Sequence, residues 1–183
     1  MIINNLPLSR LYLVKLEPLK DERGIFARLF CERELKEILG DRKIVNINFS
    51  YTFKKGTIRG MHFQKPPMAE MKFVSCLKGR VFDVAIDLRQ NSSTFLSWYG
   101  TELSDKDMKM LCIPEGFAHG FQSLEDGAEL LYFHTAFYSK ENESAIHFAD
   151  PKIGVSWPLP VSNISEKDKG HSFLKDDYAG MTL

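Results

Sequence analysis

In Val81-Phe82-Asp83-Val84-Ala85-Ile86-Asp87-Leu88 the side chains alternate in kind. Successive residues of an extended chain point to opposite sides. Phe82, Val84, Ile86 and Leu88 therefore share one face, and Val81, Asp83, Ala85 and Asp87 share the other. The first face reads as core. The second carries two carboxylates, so it meets solvent or lines a polar cavity. A barrel with a polar lumen would account for both faces.

Short β-like segments recur on either side of this strand. Upstream are Leu11 to Leu16, Ile25 to Phe30, Val45 to Phe53, Thr57 to Phe63 and Met71 to Leu77. Downstream are Phe95 to Leu103, Met108 to Ile113, Gly120 to Leu124 and Glu129 to Phe137. The breaks carry turn residues, as in Asp21-Glu22-Arg23-Gly24, Lys54-Lys55-Gly56, Lys78-Gly79 and Pro114-Glu115-Gly116. The only strong helix signal is Glu32 to Leu39, with apolar residues at Leu35, Ile38 and Leu39 and Gly40 as its stop. Many short strands with scarcely a helix predict an all-β sandwich or barrel. After Pro158 the chain turns polar and reads as a loosely helical tail, Ser165 being a candidate N-cap. A length of 183 residues suits one domain plus this tail.

Lysine plus arginine balances aspartate plus glutamate at 24 each, so no global field draws in nucleic acid or an anionic membrane. An anionic ligand must be held by local cations. The three cysteines (Cys31, Cys76 and Cys112) form no paired motif, which predicts a reduced, cytoplasmic protein. No basic-then-apolar leader opens the chain, and no apolar run approaches a membrane span.

The chemistry concentrates in Gly56-Thr57-Ile58-Arg59-Gly60-Met61-His62-Phe63-Gln64 and in Glu70-Met71-Lys72. An imidazole takes or gives a proton near neutral pH, and a strand-borne cation aimed into the same cavity steadies negative charge. A second histidine, His119, lies in Pro114-Glu115-Gly116-Phe117-Ala118-His119-Gly120. Two histidines on glycine-flanked strands point to a shared pocket. Further on, strict alternation would set Tyr132, His134, Ala136 and Tyr138 on one face. Aromatic residues there suit packing, while a phenol can also serve as a general acid.

Taken together, these motifs resemble the dTDP-4-dehydrorhamnose 3,5-epimerase family, the RmlC-like branch of the cupin jelly rolls. The resemblance runs through Asp21 to Phe26, Gly56 to Gln64, Lys72, Asp83 to Arg89, Ser93-Thr94-Phe95 and Ile113 to Phe121. It continues through Tyr138, Asp150-Pro151, Ile153 to Leu159 and Ile164-Ser165-Glu166-Lys167-Asp168. It implies a cupin-type jelly-roll barrel over residues 1–183, with strands in about the first 30 residues at a homodimer interface and a tail from about residue 159.

It also implies an isomerase that inverts C3, C5 or both in a nucleotide-linked 4-keto-6-deoxy sugar, through an enolate and with no cofactor or metal. By resemblance His62 is the base and Asp168 its carboxylate partner. Lys72 steadies the enolate oxygen, and Tyr138 returns a proton from the opposite face. Arg59 and Arg23 would hold the diphosphate, where a planar guanidinium gives paired contacts. His119, Phe26, Asn48, Gln64 and Tyr132 would complete the binding site.

Three positions depart from the family's pattern. Arg28 stands where a glutamate is common, Glu70 where a glutamine is frequent, and Asn48-Phe49-Ser50-Tyr51-Thr52 fits only in part. Arg28 and Glu70 either pair with one another at the surface or alter contacts to the base or sugar. The runner-up function is a metal-dependent cupin, an oxygenase or isomerase, with His62, Glu70 and His119 as ligands. A sugar-nucleotide binder without catalysis is a third.

Overall fold

The computed structural model describes all 183 residues. The N-terminal region holds β1 (Ile2–Asn5), β2 (Tyr12–Lys15), β3 (Leu19–Asp21), β4 (Gly24–Phe26) and α1 (Lys36–Leu39). Next come β5 (Asn46–Thr52), β6 (Ile58–Gln64), β7 (Lys72–Lys78) and β8 (Arg80–Asp87). Then follow β9 (Trp98–Ser104), β10 (Lys109–Ile113), β11 (Phe117–Ser123) and β12 (Ala128–His134). β13 (Glu143–Ala145) and α2 (Glu166–Lys169) complete the order.

Two antiparallel sheets stack as a jelly roll, one ordered β1-β2-β10-β7-β12-β5 and the other β13-β6-β11-β8-β9. β3 and β4 form a separate hairpin. The all-β, cupin-type expectation matches this architecture.

Period-two alternation gives each sheet an inner and an outer face, and over the central strands both are buried. Val74, Val81, Ala85, Leu111, Phe121 and Leu130 meet between the sheets. The opposite faces are covered from outside. Phe73, Met110, Cys112 and Phe133 pack beneath Leu35, Ile38 and Leu39. Val84, Ile86 and Leu88 pack beneath Ile146, Ile153, Trp157 and Met181. The apolar face of β8 is therefore core, but its cover is the C-terminal segment rather than the other sheet.

The helix expected over Glu32 to Leu39 is α-helical only from Lys36, after a run of turns. Its N-cap, Leu35, has no side-chain oxygen to cap the first turn and is itself drawn wholly into the core. The tail is not an appendage. Asn163 bridges to Thr57, Met181 bridges to Arg89, and Ile164, Asp168 and Met181 are buried. Ser165 does cap α2, its hydroxyl accepting from the Asp168 N–H at 3.0 Å.

Candidate active site

β6 and β11 lie side by side with His62 directly opposite His119. That approach needs glycine. A Cβ on Gly60, whose φ is +134°, would come within 2.5 Å of the Gly120 Cα. The two imidazoles thus stand together on the wall of a cavity of about 520 Å³ between the sheets. β6 and β11 also contribute Arg59 and Phe121 to the lining. Lys72 comes from β7, Tyr132 and His134 from β12, Asn48 and Ser50 from β5, and Lys167 and Asp168 from α2.

Each imidazole has its own carboxylate. His62 Nε2–H donates to Asp168 Oδ1 at 2.8 Å, and Asp168 Oδ2 accepts from the Gly60 N–H at 3.3 Å. Burial pushes the Asp168 carboxyl up, but the His62 hydrogen bond and charge outweigh it, so the group lies below its ordinary range. That bond leaves His62 Nδ1 as the ring nitrogen without a protein partner. His119 Nε2–H donates to Asp83 Oδ1, also at 2.8 Å.

Across the cavity, the Lys72 ammonium lies 3.2 Å from Glu70 Oε1 and donates to the His62 carbonyl at 3.4 Å. The other Glu70 oxygen accepts from His134 Nδ1–H at 2.8 Å, and His134 Nε2 accepts from the Asn48 amide at 3.3 Å. Burial alone would raise the Glu70 carboxyl. The His134 hydrogen bond and the Lys72 charge more than offset this, and it stays low. Arg28 pairs with Glu34 at 2.8 Å, while the two Glu70 oxygens are taken by Lys72 and His134, so the Arg28–Glu70 pair is not formed.

Tyr132 is stacked on His134, meets His119 edge-on and shares a 3.1 Å hydrogen bond with Ser50 Oγ. Burial raises its phenol well above the usual range, which keeps it protonated. Arg59 reaches the rim, donating to the Tyr51 carbonyl at 3.1 Å and to Thr52 Oγ1 at 3.3 Å.

His62, Lys72, His119, Asp168, Arg59, Asn48 and Tyr132 are therefore gathered in one cavity, and four other residues named from the sequence are not. Tyr138 is 65% exposed and donates to Glu143 at 3.1 Å. β12 ends at His134, so the alternation that put Tyr132 and Tyr138 on one face stops between them. Gln64 is buried outside the lining. Its amide donates to the Met68 and Phe137 carbonyls and accepts from the Ser139 N–H, which fixes the segment carrying Tyr138. Arg23 and Phe26 sit on the exposed β3–β4 hairpin, where Arg23 pairs with Asp21.

His171, which sequence reading passed over, lies beside the dyad with its Nε2 3.5 Å from Asp168 Oδ1. Its position three residues after Asp168 was the available signal. The metal set of His62, Glu70 and His119 is not assembled, since Glu70 is taken by Lys72 and His134 and His119 by Asp83.

Fold and cavity together define a cupin-type jelly roll whose cup holds an imidazole–carboxylate pair facing an ammonium and a phenol, a set suited to proton transfer. The chain matches the family described as dTDP-4-dehydrorhamnose 3,5-epimerase over residues 5–176. It is 42% identical over 160 residues to the dTDP-4-dehydrorhamnose 3,5-epimerase of Shigella flexneri, covering 86% of this chain and 88% of that one. The crystal structure of the enzyme of that name from Elizabethkingia anophelis NUHP1 superposes with a TM-score of 0.91 at 39% identity, covering 97% and 98% of the two chains. The dTDP-6-deoxy-D-glucose-3,5-epimerase of Legionella pneumophila Philadelphia 1, solved with dTDP-4-keto-L-rhamnose, gives 0.91 at 36% identity over 100% and 98%. The chain belongs to the dTDP-4-dehydrorhamnose 3,5-epimerase family, and so is an epimerase of the isomerase class. No helix is long and apolar enough to cross a membrane.

Proposed function

We propose that the enzyme inverts C3, C5 or both of a dTDP-linked 4-keto-6-deoxyhexose by removing a proton beside the ketone and returning one from the other side. The observation that carries this reading is the His62–Asp168 pair on one wall of the cavity with Lys72 and Tyr132 on the other. The ketone makes the neighbouring C–H bonds acidic. A base working near neutral pH still needs the developing enolate to be stabilised more than the ground state. His62 Nδ1 takes the proton. Asp168 holds the ring in the tautomer that leaves Nδ1 free and steadies the imidazolium that forms. The Lys72 ammonium, fixed by Glu70, faces the enolate oxygen.

Inversion needs a donor on the face opposite the base. Tyr132 suits that role by its place on the facing sheet and its protonated phenol. Tyr138 would have to leave Glu143 and swing inward to act as the acid. Arg59 at the rim suits a diphosphate, and His119 and Asn48 suit the sugar and nucleoside.

The active form on this reading is a homodimer in the cytoplasm. Two observations support a second copy. The β3–β4 hairpin leaves Leu19, Ile25 and Phe26 exposed, and β5 turns Ile47, Phe49 and Tyr51 outward. A hairpin covering the partner's cavity would bring Arg23 and Phe26 to bound nucleotide there.

Proton NMR in D2O against 4-keto-6-deoxy sugars carrying dTDP, UDP or GDP tests the reading. It predicts deuterium at C3 or C5 of the dTDP sugar. No exchange with any of the three would refute it.

A further inference from the structure

We propose that His62, Asp168 and His171 form a site for a late first-row divalent cation of the zinc type, and that its occupancy switches the enzyme off. The inhibitory half rests on the reading of His62 as the base.

Two imidazole nitrogens converge on one carboxylate oxygen. His62 Nε2 is 2.8 Å and His171 Nε2 3.5 Å from Asp168 Oδ1, and all three donor atoms lie within 4.8 Å of one another. A zinc ion held at about 2.0–2.1 Å from each would spread donors by a little over 3 Å, so small side-chain shifts suffice. His171 Nε2 is shut off from water and makes no hydrogen bond. Buried polar atoms are rarely left so, and a bound cation would satisfy this one. Two nitrogens and one oxygen suit zinc, cobalt or nickel rather than magnesium or calcium, which prefer all-oxygen shells.

The site has its own door. A second opening of about 430 Å³, on the Glu143–Ala145 side of the imidazole, is lined by His62 and His171 together, and His171 Nε2 lies just beneath its wall. It leaves room for a water as fourth ligand. Lys167 is the one cation at this opening, and Glu143 holds its ammonium at 2.7 Å. This cluster is distinct from the set of His62, Glu70 and His119 that the metal-dependent cupin reading requires.

The cation is an inhibitor by the logic of the ring. Coordination at Nε2 displaces the hydrogen bond to Asp168 and leaves the neutral imidazole's hydrogen on Nδ1. That nitrogen then has no lone pair with which to accept a proton from carbon.

Metal-stripped enzyme titrated with Co²⁺ should develop the visible d–d absorption of a four-coordinate site, saturating at one equivalent and displaced by Zn²⁺. Zn²⁺ should stop deuterium exchange into the sugar, and a chelator should restore it. In His171→Gln both cobalt binding and zinc inhibition should weaken by at least about tenfold, with metal-free exchange retained. Absence of a saturable cobalt spectrum in the wild-type enzyme would overturn the site, as would a His171→Gln enzyme that binds and is inhibited as before. Stoichiometric cobalt with undiminished exchange would leave the site standing and overturn both the inhibition and the assignment of His62 as base.

Discussion

Two imidazole–carboxylate pairs lie side by side on one sheet with the same 2.8 Å hydrogen bond, yet they are built for different work. His62 has a side chain 35% exposed and takes its carboxylate from the C-terminal tail, 106 residues away. His119 is 7% exposed, and its Asp83, on the neighbouring strand, is fully buried with its second oxygen unpartnered. Hydrogen-bond geometry alone therefore does not make a base. The first pair meets the cavity with a ring nitrogen that no protein group occupies, where a substrate C–H can reach it. The second reaches the same cavity by little more than a ring edge and is held by a buried carboxylate, which suits a fixed donor to substrate rather than a base.

The largest expected effect separates the pairs at once. His62→Asn should slow epimerisation by about 10⁴, as expected for loss of a general base, with the fold kept. Steady-state rates and a thermal melt check this. Asp168→Asn should keep the His62 ring in place but lose the charge that steadies its protonated form, costing about 10³ in kcat with little change in KM. A rate equal to wild type would make the tail carboxylate a bystander.

The opposed-face requirement gives the next test. Tyr132→Phe should reduce inverted product by about 10² while proton removal continues, whereas Tyr138→Phe should cost less. Comparing exchange with product formation in both variants decides between the phenols. A greater loss in Tyr138→Phe would mean that the 138 side chain moves into the cavity on binding. The smallest effect on rate belongs to the second pair. His119→Asn should change kcat by under about tenfold. It should lower stability by about 3 kcal/mol, because a wholly buried carboxylate loses its partner. A denaturant titration measures that loss.

Much of the fold was legible because its strands announce themselves by alternation and stop at glycine or proline. β5 to β8 fall within a residue or so of where Val45 to Leu88 placed them. Alternation marks two faces but cannot say what covers each. The apolar side of β8 therefore did not reveal that Trp157 and Met181 lie over it. It also fails where a strand ends: alternation groups Tyr138 with Tyr132, but the backbone leaves the sheet at His134.

His62, Lys72 and His119 could be singled out by residue type and glycine spacing. Asp168 could not be joined to His62 from local pattern, since the contact spans most of the chain and only family resemblance linked them. The tail's polar composition hid its role. One buried carboxylate and a few apolar anchors hold it to the barrel, and neither leaves a periodic signal.

The most direct measurement follows hydrogen at the sugar carbons by NMR in D2O, with His62→Asn and His119→Asn compared under saturating dTDP-linked 4-keto-6-deoxyhexose. If only the accessible imidazole removes the proton, the 119 variant washes deuterium into the sugar and the 62 variant does not. Exchange that survives in the 62 variant and vanishes in the 119 variant would assign the chemistry to the His119 pair and contradict the account.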